Sequence, residues 1–117
     1  MKIAIIEDSC AYNALASCFK QLGHEVIGER IEGNNSLGRT LQVIGEAKPD
    51  IILLDHDLGI YEVTGKTVMA QLDPELCQRV VGISIEGQPY CRRAPFSKNS
   101  CSIGDIEGFV ANFKGAA

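Results

Sequence analysis

The chain has 117 residues, of which 45% are hydrophobic and 22% charged, and its formal net charge is −4 at pH 7. These values predict a single globular domain over residues 1–117, and the negative charge disfavours direct nucleic-acid binding, which needs concentrated lysine and arginine. No apolar stretch is long enough to cross a bilayer or to form a signal-peptide core, so we expect a cytoplasmic protein with no membrane contact.

The first part of the chain predicts two strands and a helix between them. Lys2–Ile6 is a short apolar run that stops at charge, which is typical of a strand buried on both faces. Apolar residues recur at helical spacing over about 10–22, with Ser9 as a candidate cap and Gly23 as the end of the helix. A second strand is predicted over His24–Gly28.

The middle of the chain continues this alternation. A helix is predicted over about 34–47, and the polar residues at 34–36 are its candidate caps. Ile51–Leu54 is the third predicted strand, because its residues are all apolar and a proline and an aspartate precede it. A glycine-containing loop over 56–64 then leads to a helix over about 65–72.

The last part of the chain holds a fourth strand and a final helix. Arg79–Ser84 is the predicted strand, and Ser102 with Asp105 resembles a capping box that opens the helix. Residues 85–97 contain two prolines and show no helical periodicity. Strand and helix alternate four times, which predicts an α/β fold: a doubly wound parallel sheet with helices on both faces.

Acidic residues follow two of the predicted strands directly. Glu7 and Asp8 come after the first strand, and Asp55 and Asp57 come after the third. Parallel sheets bind their ligands beyond the carboxyl ends of the strands, so these four side chains come close together at one edge if the two strands are neighbours. Like charges raise each other's pKa unless a cation lies among them, and oxygen ligands suit Mg²⁺. The sequence therefore predicts a magnesium site.

Over its whole length the chain resembles the receiver domain of bacterial two-component response regulators. The matching residues are the Glu7–Asp8 pair after strand 1, Asp55 after strand 3, Ser84 after strand 4 and Lys98 before the last helix. The resemblance implies a flavodoxin-like five-stranded parallel sheet with strand order 2-1-3-4-5. It also implies a signalling domain and not an enzyme, with at most self-catalysed phosphoryl transfer and hydrolysis.

The same resemblance assigns roles in phosphoryl transfer. Asp55 would accept a phosphoryl group from a sensor histidine kinase or a phosphotransfer protein. Ser84 would form a hydrogen bond to the new phosphoryl oxygen, and Lys98 would pair with it. A hydrogen bond that exists only in the modified state can shift a conformational equilibrium, which is how such a domain signals.

The resemblance also implies the ligands of the metal ion. Mg²⁺ would be held by the carboxylates of Glu7, Asp8 and Asp55 and by the main-chain carbonyl of Asp57. A carboxylate reacts poorly with a polyanionic phosphoryl donor until positive charge offsets that of the donor. Magnesium and one lysine would supply that charge.

Several positions depart from the pattern of this family. Lys98 is followed by Asn99, where the family usually has proline. The interval from Ser84 to Lys98 is too short for a full crossover helix and a strand, so we expect helix 4 to be shortened or missing. The loop after Asp55 has about two extra residues, and Gly59 stands in place of the usual proline.

Two other functions remain open on the sequence alone. One is a phosphorylation-independent pseudo-receiver that works as a protein-binding module. The other is a Toprim-type Mg²⁺-dependent nuclease or topoisomerase-like domain, because Glu7 with the 55–57 segment fits that pattern. Asp8 disfavours the Toprim interpretation, which also leaves Ser84 and Lys98 without a role.

The output of the domain is expected to pass through a separate protein. The chain ends soon after Phe113, so we expect a stand-alone receiver without an attached effector domain. The 85–97 segment is expected to be extended and largely without helix. Lys98 can reach Asp55 only if the strand before it runs parallel to strand 4, whereas an antiparallel course of Tyr90–Ala94 would take it to the far end of the sheet.

Overall fold

A computed structural model describes residues 1–83, 92–93 and 103–116 of the chain. In chain order its elements are β1 (Lys2–Ile6), α1 (Ala11–Gln21), β2 (Glu25–Ile27), α2 (Asn34–Ala47), β3 (Ile51–Leu54), β4 (Asp57–Ile60), β5 (Val63–Thr64), α3 (Gly65–Met69), α4 (Pro74–Cys77), β6 (Val80–Gly82), β7 (Arg92–Arg93) and α5 (Ile103–Ala116). None of the helices in this described part is long and apolar enough to cross a membrane.

The main sheet has five strands in the order β2-β1-β3-β6-β7, and every neighbouring pair is parallel. The α/β fold predicted from the sequence and the strand order that the resemblance implies are therefore confirmed. β7 is described over Arg92–Arg93, and Val81 of β6 is paired with Arg92. This parallel pairing shows that the antiparallel alternative for the last strand is wrong at Arg92–Arg93.

The two central strands are buried on both faces, as their apolar sequences predict. Successive side chains of a strand point to opposite faces, so Ile3 and Ile5 belong to one core and Ala4 and Ile6 to the other. The first core is completed by α1 and α5, through residues such as Phe19 and Phe109. The second core is completed by α2, α3 and α4. The helices therefore cover both faces of the sheet.

The segment after β3 differs from the predicted loop over 56–64. It forms an antiparallel hairpin of β4 and β5, in which Asp57 is paired with Thr64. The hairpin forms because Leu58 is buried in the second core and Ile60 and Val63 pack against that core. This alternating apolar pattern outweighs the loop-forming tendency of the aspartate and the glycine.

The helices also begin and end differently from the predictions. The helix predicted over 65–72 ends at Met69, and a separate helix begins at Pro74, where proline is favoured because a first-turn residue needs no N–H. The N-cap of α2 is Gly33, one residue before the predicted caps. Ser36 instead reaches back, and its Oγ accepts the backbone N–H groups of Glu32 and Gly33.

Three predictions concern residues outside the described ranges. These are the shortened or missing helix 4, the extended course of most of the 85–97 segment, and the capping residue Ser102. They stay predictions. The chain leaves β6 at Ile83, whose N–H donates to the carbonyl of Leu54 at 3.1 Å. Ile83 therefore lies at the carboxyl edge of β3.

Candidate functional site

Three carboxylates converge at the carboxyl edge of β1 and β3. These strands are in register, with Ile6 beside Leu54, and the N–H of Asp55 donates to the carbonyl of Ile6 at 3.0 Å. Glu7 and Asp55 therefore follow neighbouring strands at the same level. One carboxylate oxygen from each of Glu7, Asp8 and Asp55 lies within 4.8 Å of the others. We call these three residues the acidic cluster.

Glu7 organises the turn between β1 and α1. Its side chain is 0% exposed, and its Oε1 accepts the backbone N–H groups of Asp8 at 3.0 Å and Ser9 at 3.1 Å. The Glu7 carbonyl accepts the N–H of Ile31 at 2.9 Å, which joins the loop after β2 to the same turn. A buried carboxylate is stable only when such donors or a cation compensate its charge. Glu7 thus fixes the backbone that carries Asp8.

Asp8 is the less buried of the two adjacent acids. Its pKa is raised from the ordinary value of 3.8, mainly by burial, then by its hydrogen bond and charge interaction with Glu7, and to a smaller degree by Asp57. Burial and a neighbouring carboxylate both disfavour the ionised form of a carboxyl group, which is why the pKa of Asp8 is raised. The side chain of Arg30 binds the main chain of Asp8, since its Nε donates to the Asp8 carbonyl at 2.8 Å.

Asp55, the predicted phosphoacceptor, is buried at the carboxyl end of β3, and only 3% of the residue is exposed. Asp57 lies on β4, and its carboxylate is not part of the acidic cluster that the described residues form. Its side chain is exposed, and its Oδ1 accepts the N–H of Gly59 at 3.1 Å. The main-chain carbonyl of Asp57 stays a predicted metal ligand, as the resemblance implies.

Gly59 brings the hairpin of β4 and β5 against the acidic cluster. Its φ is +69°, a conformation that glycine adopts without strain. A Cβ at this position would lie 2.7 Å from Oδ2 of Asp8, closer than real Cβ contacts allow. In the sequence, Gly59 stands out only because the family usually has proline there. A glycine inside a strand with alternating apolar residues can indicate that another group approaches the backbone closely.

The donor set fits a hard cation. The three candidate ligand atoms of the acidic cluster are carboxylate oxygens, which Mg²⁺ and Ca²⁺ prefer and which soft metals do not. A cation bound beside Asp8 would lower the pKa that burial and Glu7 raise. Glu7, Asp8 and Asp55 are the residues that could hold it. Ser84 and Lys98 lie outside the described ranges, so their predicted positions beside Asp55 stay predictions.

Comparisons with known proteins bear on the fold. No protein-family model matches the sequence, and no curated protein matches it. The chain is similar to the signal receiver domain of a modulated diguanylate cyclase from Desulfovibrio desulfuricans G20, with a TM-score of 0.64 and 19% identity. That match covers 99% of this chain and 98% of the other.

Two further solved structures have the same architecture. The signal receiver domain of a putative Luxo repressor protein from Vibrio parahaemolyticus matches with a TM-score of 0.64 and 17% identity, over 96% of this chain and 88% of the other. The response regulator domain of Thermotoga maritima CheB matches with a TM-score of 0.59 and 14% identity, over 99% and 95%. The chain therefore has the fold of receiver domains, and the resemblance predicted from the sequence is confirmed for the fold.

Proposed function

We propose that the chain is a response-regulator receiver whose Asp55 accepts a phosphoryl group with the help of Mg²⁺. The observation that carries this proposal is the convergence of Glu7, Asp8 and Asp55 at the carboxyl edge of a sheet with receiver topology. The donor is a sensor histidine kinase or a phosphotransfer protein. The signal passes to a separate protein partner, and the protein works in the cytoplasm.

The chemistry follows from the positions of the three acids. In the transfer, the bond between phosphorus and the histidine nitrogen of the donor breaks as a bond between phosphorus and an Asp55 oxygen forms. Asp55 is the proposed nucleophile because it directly follows β3, the central strand of the sheet, at the same level as Glu7. Glu7 contributes by holding the turn rigid through its two backbone hydrogen bonds.

Charge is the main obstacle to this reaction. A phosphoryl donor is an anion, and three carboxylates within 4.8 Å repel it. When bound, Mg²⁺ would supply positive charge at Glu7, Asp8 and Asp55, with the Asp57 main-chain carbonyl as a further ligand. Lys98 is proposed to pair with the transferred group, and Ser84 to hydrogen-bond one of its oxygens. In this proposal the domain is a phosphoacceptor and not an enzyme, with at most self-catalysed phosphoryl transfer and hydrolysis.

A beryllofluoride experiment tests the proposal. Beryllofluoride mimics an aspartyl phosphate, so with Mg²⁺ it should shift the amide resonances around Asp55 in the wild type. Asp55→Asn should abolish the shifts, because the amide cannot bind the mimic in the same way. Asp57→Asn is the matched control, since it removes an exposed carboxylate nearby but keeps the main-chain carbonyl.

The same experiment separates the other two functions. No shift in the wild type would contradict the phosphoacceptor function and favour the phosphorylation-independent pseudo-receiver. Mg²⁺-dependent cleavage or relaxation of DNA by the same preparation, lost in Glu7→Gln, would favour the Toprim-type domain. The Toprim pattern favours glycine at the position that Asp8 occupies in this chain. The interaction of Asp8 with Glu7 therefore gives the Toprim alternative no support.

A further inference from the structure

The hairpin of β4 and β5 closes one side of the acidic cluster. Its base is fixed by the bond from the Gly65 N–H to the His56 carbonyl, at 2.7 Å, and Leu58 anchors it in the core. At its tip Tyr61 is 89% exposed. Between these points Gly59 faces Oδ2 of Asp8. The hairpin is thus anchored at its base, and Gly59 lies close to the Asp8 carboxylate.

We propose that Gly59 is a positioning residue of the metal site, whose missing side chain leaves the space that the Asp8 carboxylate occupies. This inference rests on the proposed function, since it concerns the same Mg²⁺ site. The argument turns on which partner would move if a Cβ were added. Oδ2 is the end of a rotatable side chain, whereas Gly59 lies on a hairpin anchored by Leu58. The Asp8 carboxylate would therefore be displaced from its present position in the cluster.

A side chain at position 59 should weaken cation binding more than it lowers the stability of the fold. If the Asp8 carboxylate is displaced, one of the three side-chain ligands is lost or misaligned. Changes to residues that orient metal ligands weaken metal binding by about tenfold to hundredfold. The stability of the fold falls only by the backbone strain of a non-glycine residue at positive φ, because turning an aspartate about its side-chain bonds costs little.

The chain offers a matched control for the backbone effect. Gly23 also has a positive φ, +86°, and a Cβ there would have nothing within 4 Å. Gly23→Ala therefore introduces the same type of backbone strain far from any contact. Gly59→Asn is a second test variant, because asparagine tolerates positive φ better than alanine and still places a Cβ against Asp8.

The experiment measures Mg²⁺ affinity from the amide shifts of Glu7, Asp8 and Asp55, and thermal stability in EDTA, for the wild type and the three variants. We expect Gly59→Ala and Gly59→Asn to bind Mg²⁺ at least about tenfold more weakly than the wild type. Gly23→Ala should bind like the wild type and melt at a temperature similar to that of Gly59→Ala.

The outcomes distinguish this inference from the proposed function. If Gly59→Ala and Gly59→Asn bind Mg²⁺ as tightly as the wild type, the positioning role is refuted while the metal site stands. If Gly23→Ala weakens binding as much as they do, backbone strain and not the contact is responsible, and the role is again refuted. If the wild type itself binds no Mg²⁺, the proposed metal site fails and the positioning role fails with it.

Discussion

The N–H of Asp55 donates to the carbonyl of Ile6 at 3.0 Å, so the predicted phosphoacceptor and the residue before Glu7 are joined by one bond of the parallel ladder. This bond explains why two acids almost fifty positions apart in the chain meet at one edge. The position of Glu7 beside Asp55 is thus a property of the sheet register. The position of Asp8 depends instead on the turn that Glu7 holds and on the hairpin that Gly59 belongs to.

The first prediction concerns the charge of Asp8. In the absence of a cation, Asp8→Asn should raise the melting temperature at neutral pH by a few degrees, because it removes a carboxylate that burial and Glu7 disfavour. Adding millimolar Mg²⁺ should stabilise the wild type and leave Asp8→Asn unchanged. Thermal melts with EDTA and with Mg²⁺ measure both effects. A lower melting temperature for Asp8→Asn in EDTA would contradict the electrostatic interpretation.

The second prediction separates the two roles of Glu7. Glu7→Ala leaves the N–H groups of Asp8 and Ser9 without their acceptor and should destabilise the protein by about 1–3 kcal/mol. Glu7→Gln keeps an acceptor oxygen and should lose less stability, yet it should weaken Mg²⁺ binding as strongly as Glu7→Ala. Urea unfolding and Mg²⁺ titration measure the two effects. Equal stabilities for the two variants would refute the role assigned to these hydrogen bonds.

The third prediction concerns alkaline pH. The pKa of Tyr12 is raised above 10.0, mainly by burial and then by Glu29, and its hydroxyl donates to the Gly28 carbonyl at 3.1 Å. Because the folded state holds this proton more tightly than the unfolded state, Tyr12 contributes stability that is present below about pH 10 and is lost as the pH rises through its folded pKa.

Comparison with Tyr12→Phe isolates this contribution. At neutral pH the variant should be less stable by about 1 kcal/mol, since it lacks the hydrogen bond to Gly28. Above pH 10 the stability of the wild type should fall more steeply than that of Tyr12→Phe, so the difference should shrink. Chemical unfolding at several pH values provides the test. A difference that stays constant or grows with pH would contradict the account.

The fourth prediction concerns Lys98. If its ammonium pairs with the transferred phosphoryl group, Lys98→Met should slow the reaction of Asp55 with acetyl phosphate by at least about tenfold. Mg²⁺ affinity should stay within about twofold of the wild type, because lysine is not among the ligands of the acidic cluster. Lys66→Met is the control, since it removes a charge from α3. Equal rates for all three proteins would refute the pairing.

The main sheet could be predicted from the sequence because strands buried on both faces are short apolar runs that end at polar residues. Ile51–Leu54 is such a run, and its end correctly placed Asp55 at the edge. The hairpin could not be predicted in this way. Asp57 and Gly59 are typical of loops. The apolar residues of β4 indicate a strand only when the core that they pack against is known.

The acidic cluster was likewise predictable only in part. The approach of Glu7 to Asp55 follows from strand order, so it could be inferred from two short motifs. The hydrogen bonds of Glu7 to the next two residues and the contact of Gly59 with Asp8 depend on turn dihedrals. No hydrophobic periodicity encodes those dihedrals, and the approach of Gly59 to Asp8 also joins two segments that are distant in the chain.

Phosphorylation of Asp55 is the central claim, and intact-mass measurement after exposure to acetyl phosphate and Mg²⁺ tests it most directly. The account predicts that the wild type and Asp57→Asn gain the mass of one phosphoryl group, that EDTA prevents the gain, and that Asp55→Asn gains nothing. No gain in the wild type, or an equal gain in Asp55→Asn, would contradict the claim.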